Sequence, residues 1–280
     1  MLVSPAADVA LAAVLGLLIG SFLNVVIHRL PRMLERQWDA ECAHHLGQPA
    51  PEQPAYNLLR PASACPHCGH AIRWWENIPV ASWLALRGRC SACGKGISAR
   101  YPLVEAATAA LFAFSAWQWG ITPAGAAWAA FCAALLALAL IDWDTTLLPD
   151  DITLPLAWGG LIAAALGWSG TPLPDALWGA VAGYLSLWSV YQGFKLLTGK
   201  EGMGFGDFKL FAALGAWFGW AALIPLILVA SVLGAVIGIA MKLGGNLREG
   251  GYVPFGPFLA FAGLVALVLG PARILGMLGL

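Results

Sequence analysis

Long runs without any ionisable side chain constrain this chain more than any other feature of its sequence. A helix needs about 20 apolar residues to cross the hydrocarbon core of a bilayer. Only 11% of the residues are charged, against about 25% in an ordinary soluble domain. Six uncharged runs cover residues 9–27, 106–141, 152–174, 176–194, 210–241 and 250–272. Since a soluble fold of this length would not need so many such runs, the sequence predicts an integral membrane protein.

The runs predict an all-α polytopic membrane protein with about eight transmembrane helices. The run 210–241 would form a helix about 48 Å long at 1.5 Å per residue. That is too long for one crossing of a core about 30 Å thick, so we divide it near Gly219–Pro225, which leaves a short helix on its N-terminal side. The other predicted helices cover 9–27, 102–119, 123–141, 152–168, 174–197 and 255–275.

The positions of the basic residues orient these helices. Eight of the fifteen lie in the long polar segment 31–101, so the positive-inside rule places that segment in the cytoplasm. No Lys or Arg precedes the first apolar run, which indicates a retained first helix and not a cleavable signal peptide. Eight helices also place Lys242 and Arg248 inside, together with Lys195, Lys200 and Lys209, whereas seven would put Lys242 and Arg248 outside.

Four cysteines in the polar segment have the spacing of a structural zinc site. Cys65 and Cys68 form one C-x-x-C pair and Cys90 and Cys93 form a second, each followed by a glycine. Two such pairs supply the four thiolates of a closed tetrahedral site, with no open position for catalysis. A disulfide framework is the alternative, but a cytoplasmic location disfavours it. The segment lacks apolar periodicity, so metal binding should supply much of its folding free energy.

Acidic residues lie beside two of the apolar runs. Asp142, Asp144, Asp150 and Asp151 follow one predicted helix, and Asp207 precedes another. An acid within a membrane helix costs about 2.5–3.5 kcal/mol at mid-bilayer and usually has a function. Asp142 and Asp207 are predicted at similar depth, at cytoplasmic helix ends. Two facing carboxylates can share a proton, so that one activates water while the other polarises a carbonyl.

Acids at helix ends are also common as solvated caps, and the residues alone leave both interpretations open. Asp150 and Asp151 fit the cap interpretation because the next helix is predicted to begin near Ile152. The Gly-x-Gly-Asp sequence that ends at Asp207 favours a site, since glycine lets backbone approach closely. There is no H-E-x-x-H, G-x-S-x-G or dinucleotide-binding motif. A net charge of zero and the lack of a basic tract give no indication of nucleic acid binding.

Taken together, these motifs resemble those of the bifunctional type IV prepilin leader peptidase/N-methyltransferases of bacterial pilus and type II secretion systems. The resemblance covers nearly the whole chain. It rests on the paired C-x-x-C and on GSFLNVVIHRLP at 20–31, RYPLVE at 100–105, ID at 141–142, LPD at 148–150, KEGMGFGDFK at 200–209 and PFGP at 254–257.

The resemblance implies an aspartic endopeptidase of the bacterial inner membrane with Asp142 and Asp207 as its catalytic residues. Its substrates would be prepilins and pseudopilins, cut after the glycine of a basic leader at the cytoplasmic face. The new N-terminus would then be methylated with S-adenosyl-L-methionine, and the zinc segment is implicated in that transfer. The residues show no methyl-donor pocket; Gly88, Arg89 and Glu105 are candidates. The predicted domains are a first transmembrane helix (1–30), a cytoplasmic zinc domain with four cysteine ligands (31–101) and a transmembrane peptidase bundle (102–280).

Two other functions remain open from the residues themselves. The two aspartates could form the proton relay of a membrane transporter, which an inverted repeat would favour, but the sequence contains no internal repeat. The chain could also be a zinc-dependent assembly protein without catalytic activity. Cleavage of a prepilin leader separates both from the peptidase.

Overall fold

The computed structural model describes residues 5–49, 54–245 and 253–277, and these residues are largely helical. They contain no β-strand apart from isolated bridges at Ala64–Ala71 and Arg89–Gly96. Short 3-10 helices lie at Trp74–Asn77 and Trp220–Ala222. The α-helices are α1 Pro5–His45, α2 Ala81–Ala85, α3 Arg100–Trp119, α4 Pro123–Thr145, α5 Asp150–Ala165, α6 Leu173–Thr198, α7 Phe205–Phe218, α8 Leu223–Leu243, α9 Gly256–Leu269 and α10 Pro271–Met277.

Seven of the eight predicted membrane helices each correspond to one helix in the structure, and the predicted division of the run 210–241 is confirmed. Gly219 ends α7 with a φ of +81°, which favours glycine, and α8 begins at Leu223. The last prediction, a single helix over 255–275, is wrong: the chain breaks at Gly270, whose φ is +82°, into α9 and α10, which are bent by 98°.

Fewer than eight of these helices are long and apolar enough to count as complete membrane spans. Among the described residues α1, α4 and α8 (with its preceding turn) qualify, and the bent pair α9–α10 could be a fourth. The count of eight spans therefore stays a prediction. Arg248, which favoured eight helices over seven, lies outside the described residues.

The chain divides into two compact units, residues 1–122 and 123–280. In the first unit α1 packs along α3 through small residues. A Cβ on Gly16 would lie 2.7 Å from the Cα of Ala109, and one on Gly20 would lie 2.7 Å from the Cα of Glu105. Only glycine allows this backbone approach.

The first helix is longer than its apolar run. It continues past residue 30, where the first predicted domain ends, to His45. Pro31 lies inside it, although proline removes a backbone hydrogen bond from a helix interior. The last four turns are polar and mostly exposed. The border predicted at residues 30–31 is thus a change of environment within one continuous helix.

In the second unit, aromatic side chains of α4 and α7 form the centre of the core. Trp128 and Phe131 on α4 contact Trp217 on α7, with ring centroids 4.7 and 4.8 Å from it. The indole Nε1 of Trp217 donates a hydrogen bond of 2.9 Å to the carbonyl of Leu156 on α5. These contacts join α4, α5 and α7. The opposite ends of the same three helices carry Asp142, Asp150 and Asp207.

Candidate functional site

Asp142 and Asp207 line the same cavity in the second unit. The cavity has a volume of about 280 Å³. Asp142 is 4% exposed and Asp207 is 7% exposed. The other lining residues are Thr146, Leu148, Gly202, Met203, Gly204, Gly206, Val253, Pro254 and Phe255. The structure therefore brings together the two aspartates that the sequence placed at similar depth.

Asp207 is positioned by the start of α7. It is the third residue of that helix, and its backbone N–H donates to the carbonyl of Gly204, the N-cap residue. Its Oδ1 is buried and has no hydrogen-bond partner among the described residues. Burying an unpaired carboxylate oxygen is costly unless a proton, water or substrate group occupies it. This oxygen is therefore the atom of Asp207 that is open to a proton, a water or a substrate group.

Asp142 is positioned by the end of α4. Its carbonyl accepts the backbone N–H of Thr146, which has a φ of +59° and ends the helix. A positive φ is rare for a β-branched residue and stores local strain. The Oδ2 of Asp142 lies against Gly256, the first residue of α9, where an added Cβ would come within 2.5 Å of it. The glycine of the Pro-Phe-Gly-Pro sequence thus leaves room for this carboxylate.

Leu148 separates the two helix starts that border the cavity. A Cβ on Gly206 would lie 2.6 Å from the Cβ of Leu148, and one on Gly256 would lie 3.0 Å from its Cδ1. Leu148 therefore fills the space that these two glycines leave open. The sequence analysis named Leu148 and Gly256 only as members of the LPD and PFGP motifs, and it did not indicate this role.

An ion pair holds the loop that carries Leu148. Lys209 on α7 donates to both carboxylate oxygens of Asp150, each at 2.7 Å. The cap interpretation of Asp150 and Asp151 is wrong in detail, because α5 begins at Asp150 and Pro149 is its N-cap residue. Asp151 lies in the first helical turn, where negative charge is favourable. Asp144 is exposed, unlike Asp142.

In the first unit the four predicted zinc ligands meet at one point. The four sulfurs of Cys65, Cys68, Cys90 and Cys93 lie within 4.8 Å of one another. Two of the separations are 3.9 Å, from Cys65 to Cys93, and 4.0 Å, from Cys68 to Cys90. A tetrahedral site with Zn–S bonds of about 2.3 Å requires sulfurs about 3.8 Å apart. The cysteines are free thiols with the geometry of a four-cysteine zinc site.

Backbone N–H groups lower the thiol pKa of the first cysteine in each pair, Cys65 and Cys90. Those of His67 and Cys68 hold the pKa of the Cys65 thiol at about 6, below its usual value of 9. The corresponding groups of Cys93 and Ala92 lower the pKa of Cys90. Thiolate is the form that binds zinc. Within residues 54–99, which we call the cysteine module, only Cys65, Gly88 and Cys90 are buried, so the module has almost no apolar core.

Glu76 connects the two halves of the cysteine module. Its Oε1 accepts the Ser91 hydroxyl at 2.6 Å, and its Oε2 lies 3.2 Å from His70 Nε2 and accepts the Arg73 N–H at 2.9 Å. His70 follows the first cysteine pair, and Ser91 lies within the second. Sequence reasoning missed this residue, since one Glu in a polar segment gives no signal.

The candidates for the methyl-donor site have structural contacts. Gly88 has a φ of +66° in the turn after α2, and a Cβ there would lie 2.8 Å from the Trp83 ring. Arg89 follows in the same turn. Glu105 is buried on α3 and accepts the backbone N–H of Val80 at 2.7 Å.

Comparison with known proteins gives matches over most of the chain. A family model described as Bacterial Peptidase A24 N-terminal domain matches residues 14–119. A second, described as Type IV leader peptidase family, matches residues 129–239. These ranges fall within the first and second compact units, respectively.

Curated relatives share more than half of their residues with this chain. A Prepilin leader peptidase/N-methyltransferase of Pseudomonas aeruginosa is 56% identical over 267 residues, which are 95% of this chain and 92% of that protein. Those of Stutzerimonas stutzeri and Aeromonas hydrophila are 56% and 53% identical over 268 residues, covering 95% and 93% of this chain and 92% and 90% of theirs. No solved structure gives a significant match. The transporter and scaffold hypotheses gain no support, and the chain belongs to the type IV leader peptidase family.

Proposed function

We propose that this protein removes the leader peptide from prepilins and pseudopilins and then methylates the new N-terminus. The observation that carries the peptidase assignment is the small cavity lined by two buried aspartates. The curated relatives carry the name of both activities. The site faces the cytoplasm of a bacterial inner membrane, which the clustering of basic residues at 31–101 supports.

Asp142 and Asp207 act as a catalytic pair. Two carboxylates in one small cavity cannot both be charged at low cost, so one retains a proton. The charged member takes a proton from water as the water oxygen attacks the scissile carbonyl carbon. The protonated member donates a hydrogen bond to the carbonyl oxygen, and the departing amine then receives a proton. The Oδ1 of Asp207, which is buried and has no hydrogen-bond partner in the described part of the chain, is placed for one of these contacts.

Methyl transfer needs different chemistry. The new N-terminal amine must be neutral, and its lone pair must lie in line with the methyl group that S-adenosyl-L-methionine supplies. No activated water is involved. The cysteine module supports this step by folding around structural zinc, held by Cys65, Cys68, Cys90 and Cys93. Four thiolates complete the coordination shell, so the metal's contribution is structural.

A two-substrate assay tests this division of labour. Asp142→Asn and Asp207→Asn keep side-chain shape but remove the carboxylate. In proteoliposomes, each variant should lose cleavage of an intact prepilin, and the double variant should be little worse, since residues that act as a unit are not additive. Both should still methylate a prepilin already cut at its leader. Near-normal cleavage by either variant contradicts the pair, and loss of methylation by stably inserted variants contradicts separate sites.

A further inference from the structure

The segment 74–86 of the first unit exposes large apolar side chains. It contains the 3-10 helix Trp74–Asn77 and helix α2. Trp74 is 77% exposed and Leu84 is 61% exposed, and Trp75 and Ile78 are nearly half exposed. An apolar patch of this kind on a small module marks a surface that something other than water covers.

A part-buried hydrogen bond fixes the depth of this segment relative to α1. The Glu105 carboxylate accepts the backbone N–H of Val80 at 2.7 Å and also bonds to Ser21 on α1. Val80 has a φ of +58°, which is rare for a β-branched residue, in a tight turn where the N–H of Ala81 donates to the carbonyl of Pro79. The middle of the segment therefore lies at the level of Ser21.

The depth of this contact in the membrane can be estimated from the position of Ser21 along α1. The uncharged run 9–27 is about 28 Å long, close to the hydrocarbon thickness of about 30 Å, so the boundary falls near Ile27. Ser21 precedes Ile27 by six residues, or about 9 Å along the helix. A usual helix tilt of about 20° shortens this by only about half an ångström. Val80 thus lies on the hydrocarbon side of that boundary.

The charges of the segment fit the same location. Between Arg73 and Arg87 the only ionisable residue is Glu76, and its carboxylate is occupied by hydrogen bonds within the module. Arginines at both ends and tryptophans near both ends are the composition of a peptide that lies at a membrane interface. An uncharged stretch of about 10–14 residues suits an interfacial or re-entrant segment and is too short for a span.

We propose that segment 74–86 inserts into the lipid interface, so that Trp74, Trp75, Ile78 and Leu84 contact lipid on the side of the membrane that holds the cysteine module. Glu105 satisfies a backbone donor, Val80 N–H, that would otherwise be costly at this depth. The module is thereby held against the bilayer surface by a contact separate from its two helical connections. Packing of this face against residues 123–280, or its exposure to water, are the competing arrangements.

Photo-cross-linking distinguishes these arrangements in the full-length protein. Benzoylphenylalanine replaces Trp75, Leu84 or Leu59 in chains reconstituted into vesicles of phosphatidylethanolamine and phosphatidylglycerol, and phospholipid adducts are measured by mass. Leu59 is the matched control because it is 83% exposed on the same module. It lies near Asn57, whose carbonyl accepts the Arg29 guanidinium at 3.0 Å, beyond the end of the apolar run.

Positions 75 and 84 should form about five times more lipid adduct than position 59, because lipid C–H groups become abundant only below the headgroups. Yields at positions 75 and 84 that are no higher than at position 59 would overturn the proposal, since the segment would then contact lipid no more than the control residue does. Cross-links from position 75 or 84 to peptides of residues 123–280 in place of lipid would also overturn it. Using two positions keeps the test decisive if one substitution disturbs the module.

Discussion

Gly204 and Gly206 form a matched pair that tests how closely the start of α7, which carries Asp207, must approach Leu148. An alanine Cβ at 206 would lie 2.6 Å from the Cβ of Leu148 and 3.2 Å from its Cδ1. At 204 the nearest atom would be Asp207 Oδ2 at 3.7 Å, an ordinary contact. Gly204 also has φ −78° and ψ 148°, which alanine adopts without strain.

The expected free-energy changes and displacements predict a large loss of activity for Gly206→Ala and little change for Gly204→Ala. Inside a helix, Gly→Ala gains about 1 kcal/mol of propensity at position 206, but overpacking costs about 1–3 kcal/mol. Relief of the clash must separate Gly206 and Leu148 by about 1 Å, and a shift of that size at an active site can lower the rate about 100-fold. At 204, loss of an N-cap glycine costs about 1 kcal/mol or less and moves neither carboxylate.

The assay is leader cleavage by proteoliposomes, with methylation of a pre-cut substrate as the measure of correct folding. Gly206→Ala should reduce the cleavage rate about 100-fold and keep methylation. Gly204→Ala should remain within a few-fold of the unmodified protein. Full cleavage by Gly206→Ala, or an equal loss from both variants, would refute the reasoning from close approach.

Three further outcomes follow from the contacts. Lys209→Met should lower cleavage about tenfold by releasing the loop of Leu148, with methylation unchanged, and equal losses of both activities would indicate general destabilisation. Purified protein should contain one zinc per chain; Cys93→Ser should lose the metal and make 54–99 protease-sensitive, and full zinc retention after loss of all four cysteines would contradict the site. Glu76→Gln should accelerate zinc release to a chelator about tenfold, since outer-shell partners support metal affinity, and an unchanged rate would contradict the bridging role.

The sequence by itself indicated a membrane protein and singled out the four cysteines and the two aspartates that the structure brings together. Uncharged runs of about 20 residues have few uses outside a bilayer, and two C-x-x-C pairs place thiolates at metal-binding spacing. Both signals are local along the chain, so they can be read without a fold. The four cysteines met in the structure as expected, and the division of the run 210–241 was confirmed because glycine ends helices by local geometry.

Only the tertiary structure decided how distant segments support the two sites. Asp142 and Asp207 are 65 residues apart in sequence, and their shared cavity depends on the packing of α4, α5 and α7. Three contacts join segments that are far apart in the chain or lie across a turn. Leu148 packs between Gly206 and Gly256, and Lys209 pairs with Asp150. Glu76 bridges the two cysteine pairs. The sequence placed 31–101 wholly in a polar domain, yet the bond from Val80 to Glu105 ties part of it to the buried face of α3. Such contacts arise from side-chain packing in three dimensions, which apolar periodicity along one chain does not encode.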